Sequence, residues 1–373
     1  MPITQIGANS AFGIDAFIVL SGFLHGYIFF NYFEKNNGKV SWVAFYAFRF
    51  LRLTPVYMLI LGFYSTLFTY MSSSPIWPTY DTNPICREKW IWNLLYINNF
   101  DTQYNQCMSM SWFLACLMQL NVISPLFMIP LKRWPRIGFI LSLVTICISC
   151  FASFIITKRH NLFATVSDLR LQYNGIDKIN ERLWQTVDEL HQKTYVRFTP
   201  YLVGILLGFY LHNRRLTQKN NLLTLSFGWI MSAILLYFSL FGLSNREDSA
   251  WEKFVFNGVK DLLFSCSFSW LIFVCVTGQG GLINKFLSHK IFKPFSRLSF
   301  CGYLTQSIVL EGYFLSVEVF VDESIIYQGM LSDLSWALLV TRLLLWTLVS
   351  AFVVSLLFES PAKELLYVYF LAE

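Results

Sequence analysis

Nine apolar runs, each of about twenty residues, constrain this 373-residue chain more than any other feature. They lie at about 11–30, 53–71, 112–131, 137–157, 196–212, 222–243, 259–277, 299–320 and 335–358. A helix of roughly twenty residues matches the ~30 Å hydrocarbon core of a bilayer. The runs are continuous rather than alternating, which excludes a transmembrane β-barrel. Only 13% of residues are charged and the mean hydropathy is +0.50, whereas a soluble domain carries nearer ~25% charged residues. The expected fold is all-α, a polytopic transmembrane bundle with about nine spans.

The +6 net charge is explained by where the basic residues lie, so nucleic acid is not an expected partner. One set of loops, with the tail, holds Lys35, Lys39, Arg49, Arg52, Lys132, Arg133, Arg136, Arg214, Arg215, Lys219, Lys285, Lys290, Lys293, Arg297 and Lys363, against four acids. The alternate loops carry more acid than base. The positive-inside rule puts the first set in the cytoplasm, with the C-terminus there and the N-terminus outside. Residues 1–10 lack a positive n-region, so no signal peptide is read. An outward N-terminus with an odd span count points to a further span ahead of Met1.

Two outward loops result, 72–111 and 158–195, the second with a helical pattern over 179–190. The first holds Cys86 and Cys107, while the other six cysteines lie in or beside spans, so this pair reads as a disulfide. Cys147 and Cys150 share a metal-like spacing but sit mid-membrane among apolar residues and read as packing; no metal site is expected.

Several spans carry ionisable groups, which are costly in hydrocarbon and so face other helices. Asp15, Val19, Gly22 and Gly26 form one helical stripe, with His25 at its edge, and the paired glycines admit a close neighbour. His25 reads as a packing histidine. Near the C-terminal end, Glu311 and Arg342 lie at similar depth and are expected to pair, with Glu318 the second choice.

Arg49 and Arg52 share a helix face before Pro55, which suits a phosphate-bearing ligand or an anchor to lipid phosphates. Other blocks are equally distinctive: Trp90 to Phe100, Cys107 to Gln119 including Trp112, Tyr195 to Gly204 including Arg197 and Pro200, Arg297 to Gln306 including Tyr303, and Glu359 with Pro361. In this order, and over about 7–366, the chain resembles the acyltransferase-3 superfamily, in the animal branch called nose resistant to fluoxetine. The resemblance implies about ten spans and transfer of an acyl group from cytosolic acyl-coenzyme A to an acceptor at or across the membrane. It assigns the Asp-x-Phe-x-x-x-Ser-Gly pattern to Asp15, Phe17, Ser21 and Gly22, with Asp15 and Ser21 as catalytic candidates. Arg49 and Arg52 become the coenzyme-binding pair, and Glu359 and Pro361 the tail. Cys86, Cys107, Trp112, Arg197, Tyr303, Glu311, Arg342 and Glu359 are structural candidates.

Two departures stand out. The family's first span, bearing its catalytic histidine, would precede Met1, and Gln306 stands where a histidine is often found. The domain, 1–373, is therefore expected to be N-terminally incomplete, and the chain as written to have little activity.

The function expected is that of an integral membrane O-acyltransferase, in the plasma membrane or an endomembrane. Acyl-coenzyme A is its co-substrate, no bound cofactor is needed, and its partners are membrane lipids and a hydroxyl-bearing acceptor. The alternative is a carrier of lipids or hydrophobic small molecules, which needs no histidine. A seven-span receptor fits the span count poorly.

Overall fold

The structure, a computed structural model, describes residues 11–75, 77–163, 176–214, 221–242, 250–316 and 333–364. Among these there is no strand. The helices gather into two compact units. Large apolar side chains stand exposed along their flanks, among them Phe227, Ile230, Tyr237, Leu345, Trp346 and Phe352. Patches of this kind need lipid rather than water around them. Among the described residues seven helices are long and apolar enough to cross a membrane, and the fold is a polytopic helical bundle.

The first unit contains α1 (Ala11–Lys35), α4 (Trp112–Ile123), α5 (Pro125–Arg133), α6 (Pro135–His160), α7 (Ile176–Thr186), α8 (Phe198–Asn213), α9 (Leu222–Phe241), α10 (Ala250–Val276) and the short α11 (Gly281–Leu287). The expected span 112–131 is broken at Ser124, and Pro125 opens α5 in the first turn, where its missing N–H costs nothing. Trp134, with φ −134° and ψ 77°, turns the chain again before Pro135. The expected span 196–212 is the 16-residue α8, shorter than a bilayer crossing.

Its axis is the α1–α8 pair, whose backbones touch. A Cβ on Gly22 would land on the Tyr201 carbonyl, and one on Gly204 on the Val19 carbonyl. A Cβ on Gly208 would lie 2.8 Å from the Phe23 oxygen, and one on Gly26 3.3 Å from Ile205 Cα. Glycine is thus required where the helices interlock, as small residues are in membrane packing. Around this seam Val19, Phe23, Leu211, Ile272, Phe273 and Val274 form a buried cluster. Helices α9 and α10 are tied by Ser267 Oγ, which donates to the Ser232 carbonyl at 2.9 Å.

The second unit contains α2 (Trp42–Gly62), α3 (Pro84–Leu94), α12 (Phe292–Ser316) and α13 (Asp333–Val354). Helix α2 begins eleven residues before the expected start at Leu53 and runs through Pro55. The stretch from Trp42 to Leu53 is itself apolar and helix-forming, so the helix carrying Arg49 and Arg52 is continuous with the span that follows. A π-turn, Phe63–Leu67, and a 3₁₀ turn, Phe68–Tyr70, continue α2. Asn83 caps α3, its Oδ1 accepting from the amides of Ile85 (3.1 Å) and Cys86 (3.3 Å), with Pro84 at the first helical position.

Cys86 and Cys107 are joined in a disulfide with Cα atoms 4.6 Å apart. Buried Asn93 reinforces the same loop, its amide donating to Tyr57 Oη and to the Cys107 carbonyl, both at 2.8 Å.

The expected Arg342–Glu311 ion pair is not present. Glu311 accepts from Tyr64 Oη at 3.2 Å, and Arg342 lies over the Tyr313 ring, 5.9 Å from its centroid. The π-turn carries the Tyr64 phenol to the carboxylate, and the aromatic face receives the guanidinium. Glu318 lies outside the described residues.

Candidate functional site

At the end of α1 that carries Asp15, three helices and a turn bring charged groups together inside the first unit. Arg197 ends the turn Thr194–Arg197, and its backbone (φ −81°, ψ 0°) leads directly into α8. Pro200 falls in the first turn of α8, where proline is tolerated, so the turn cannot extend as helix in the other direction without strain. The Arg197 side chain is 1% exposed and Asp15 also 1%.

Arg197 divides its donors among three acceptors. Nη1 donates to Asp15 Oδ1 at 2.5 Å. Nε donates to the His191 carbonyl at 2.9 Å, and Nη2 to His191 Nδ1 at 2.8 Å. Asp261 of α10 lies beyond, with Oδ2 3.7 Å from Nη1. Beside it Lys260 Nζ donates to Asn257 Oδ1 at 2.8 Å. The Trp112 ring covers the guanidinium, with its centroid 6.0 Å from Cζ. Two carboxylates and two cations make the cluster formally neutral, the condition under which charges persist in a low-dielectric interior.

His191 closes a π-turn, Val187–His191, that follows α7. Burial, with the nearby cations Arg197 and Lys260, holds its pKa well below the ordinary imidazole range. Because arginine can only donate, Nδ1 is the acceptor and the ring hydrogen sits on Nε2.

A second, uncharged network fixes the turn. Asn99 Nδ2 donates to Thr194 Oγ1 at 2.9 Å and to the Gln192 carbonyl at 3.1 Å. Gln119 Nε2 donates to Asn99 Oδ1 at 2.8 Å, and Thr194 Oγ1 bonds Gln119 Oε1. Gln192 Nε2 donates to the Asp101 carbonyl at 2.9 Å. Three of the sequence blocks, around Asn99, Gln119 and Arg197, are therefore held by one hydrogen-bond net.

The other candidates are placed as follows. Ser21, partly buried, lies on α1 with Asp15, and His25 Nδ1 is 2.7 Å from Tyr201 Oη. In the second unit, Arg49 is partly buried near Tyr96 while Arg52 is exposed. Tyr303 Oη donates to the Met110 carbonyl. Glu359 is 4% exposed and accepts from Ser355 Oγ (2.9 Å) and Lys363 Nζ (2.5 Å), with Cys301 Sγ 3.1 Å away.

Sequence reasoning missed His191, Lys260 and Asp261. The Lys260–Asp261 doublet opens the apolar run 259–277 and so reads as its polar border; α10 in fact begins at Ala250, which buries the doublet within the helix. His191 lies in a polar loop where only the fold reveals its partner.

The family model for the acyltransferase-3 domain, described as an acyltransferase domain, matches residues 2–360. Nose resistant to fluoxetine protein 6 of Caenorhabditis elegans is 30% identical over 337 residues, which cover 84% of this chain and 40% of that protein. Regulator of hypoxia-inducible factor 1, from the same organism, is 28% identical over 219 residues, covering 54% of this chain and 40% of that protein. The chain thus spans about two fifths of the length of these relatives. No solved structure matches it. Over nearly its whole length, then, this chain belongs to the acyltransferase-3 family.

Proposed function

We propose that the chain moves an acyl group from acyl-coenzyme A to a hydroxyl-bearing acceptor at the membrane. The acceptor oxygen attacks the thioester carbonyl, a C–O bond forms as the C–S bond breaks, and coenzyme A leaves as the thiol with the hydroxyl's proton. The observation that carries this reading is the bond between Arg197 and Asp15. It joins the Asp-x-Phe-x-x-x-Ser-Gly pattern to the Arg-x-x-Pro-Tyr block, so the family's motifs serve one buried centre. Asp15 is sealed beneath Arg197, and in this reading it is a positioning residue rather than a base. Arg49 and Arg52, three apart on α2, supply the cationic grip for the coenzyme's phosphates.

The test is a transfer assay with the full chain in lipid vesicles, using radiolabelled acyl-coenzyme A and a panel of hydroxyl lipids. Ester formation with matching release of free thiol is expected, at a low rate. Arg52→Ala should weaken acyl-coenzyme A binding by about 1.5–3 kcal/mol, as loss of a charge-assisted bond does, and Arg52→Lys should restore it only in part. Acyl-coenzyme A binding that is untouched in both Arg49→Ala and Arg52→Ala removes the coenzyme site from the proposal. Uptake of the lipids without ester formation would favour a carrier.

A further inference from the structure

Arg197 clamps His191 at two points, its carbonyl and its Nδ1. The clamp settles which ring nitrogen bears hydrogen, and it also aims the ring. Nδ1 and Nε2 lie on opposite flanks of an imidazole, so with Nδ1 facing Arg197 the Nε2–H points away from the charge cluster. Among the described residues Nε2 has no hydrogen-bond partner, and it is not among the atoms sealed from solvent. The residue as a whole is partly exposed. Accepting at Nδ1 leaves the ring hydrogen on Nε2, a donor whose direction is set by the two bonds from Arg197.

The groups around the ring keep it a donor rather than an acid. Arg197 touches Nδ1, and Lys260 of α10 adds a second positive charge. Asp15 and Asp261 lie on the far side of Arg197, which neutralises them first. On the turn's own side, Asp188 is occupied by the Gln103 amide (2.9 Å) and Gln192 Nε2 (3.0 Å), with Glu189 next to it. Among the described residues no carboxylate bonds the ring, so none of them draws a proton onto Nδ1.

We propose that His191 Nε2–H is a substrate-binding donor that takes an oxygen of the hydroxyl-bearing acceptor, with Arg197 and Asp15 as the positioning residues behind it. The assignment rests on the acyl-transfer reading and adds to it the place where the acceptor is held. The choice of acceptor follows from position. His191 belongs to the loop 158–195, which the charge pattern places on the side of the membrane opposite the arginine pair proposed for the coenzyme. A neutral donor backed by a cation recognises an oxygen lone pair without needing to exchange a proton, the same use made of neutral imidazoles that polarise a substrate oxygen.

The experiment uses the full chain in lipid nanodiscs with ring-15N-labelled histidine, read by NMR through the shifts of the two ring nitrogens and of the hydrogen that one of them bears. His191, assigned by the loss of its signals in His191→Asn, should keep a bare Nδ1 and a hydrogen on Nε2 at pH 5.5 as at pH 7.5. At least one of cholesterol, diacylglycerol and 1-octadecanol should move the His191 Nε2–H resonance downfield, as a new acceptor does, and leave Nδ1 in place. A hydrogen on Nδ1 instead of Nε2, or an Nε2–H resonance that none of the three moves, overturns the proposal.

Two variants separate the ring nitrogens. In His191→Asn the side-chain oxygen takes the place of Nδ1, keeps the bond from Arg197 and loses the outward donor; His191→Gln keeps a donor in the place of Nε2. His191→Asn should leave the melting temperature unchanged and raise KM for the acceptor about tenfold or more, the worth of one hydrogen bond to a substrate, and His191→Gln should raise it less. An unchanged KM and kcat in a stable His191→Asn chain overturns the proposal. A shift of the Nε2–H resonance by a hydroxyl lipid, in a chain that transfers no acyl group, keeps the acceptor site and removes the transferase reading.

Discussion

Arg197 is the residue on which the first unit's charge balance turns, because one guanidinium serves a helix, a turn and a second carboxylate at once. Removing it leaves Asp15 and Asp261 unpaired in the interior. Loss of one member of a buried pair typically costs about 3–5 kcal/mol, so Arg197→Ala should lower the melting temperature severely. Arg197→Lys should not rescue it, since a single ammonium cannot serve Asp15 and both His191 acceptors. Asp15→Asn should be milder, as the amide oxygen still accepts. Thermal melts in detergent check all three. His191 adds a pH dependence whose sign is fixed. Its imidazole stays neutral in the fold, whereas in the unfolded chain it takes up a proton as the pH falls below about 6.5. The unfolded state then binds more protons, so stability falls with acidification. The melting temperature should drop more between about pH 6.5 and 5 in the native chain than in His191→Gln.

At the scale of elements, α1 and α8 are held by backbone contact rather than by long side chains. Gly22→Ala or Gly204→Ala should force the pair apart, since the added carbon meets a carbonyl that cannot move aside. Overpacking of a tight contact costs about 1–3 kcal/mol or more. Gly13→Ala, where a Cβ meets nothing within 4 Å, should be silent. Size-exclusion profiles of fluorescent fusions before and after heating report the ranking. In the second unit the Cys86–Cys107 bond closes a separation of 21 residues between α3 and the turn before Trp112. Cys86→Ser should cost about 2–4 kcal/mol, and an impermeant maleimide should label neither cysteine of the native chain until reductant is added.

On the scale of the whole molecule, the asymmetry of basic residues between alternate loops predicts its orientation. Cysteines introduced singly at Lys219 and Lys290 should be reached by an impermeant reagent only after the cell is permeabilised. One placed at Asn180, on α7, should react in intact cells if the protein resides at the surface, or in sealed inverted microsomes if it resides in an endomembrane. The opposite pattern at all three sites would reverse the topology and with it the side from which the acceptor is proposed to enter.

Span-length apolar runs determined the helical membrane architecture by themselves, because hydrocarbon leaves the backbone no other partner than its own next turn. The stripe of Asp15, Val19, Gly22 and Gly26 likewise foretold a buried face, since period and residue size suffice for that. What a polar side chain meets across sixty or two hundred residues was not legible. Glu311 met Tyr64 rather than Arg342, and Arg342 met an aromatic ring. Depth in the membrane is a one-dimensional coordinate, whereas pairing also depends on which helices are neighbours and how each is rotated. Helix starts were misread for a related reason. Pro55 and the Lys260–Asp261 doublet carry end-like signals, yet both lie inside longer helices whose flanking turns are stabilised by packing. Only the tertiary structure could bring Asp15 and Asp261, from two distant helices, to the guanidinium that Arg197 shares with His191, because that geometry is a property of the packed helices and of no single stretch of chain.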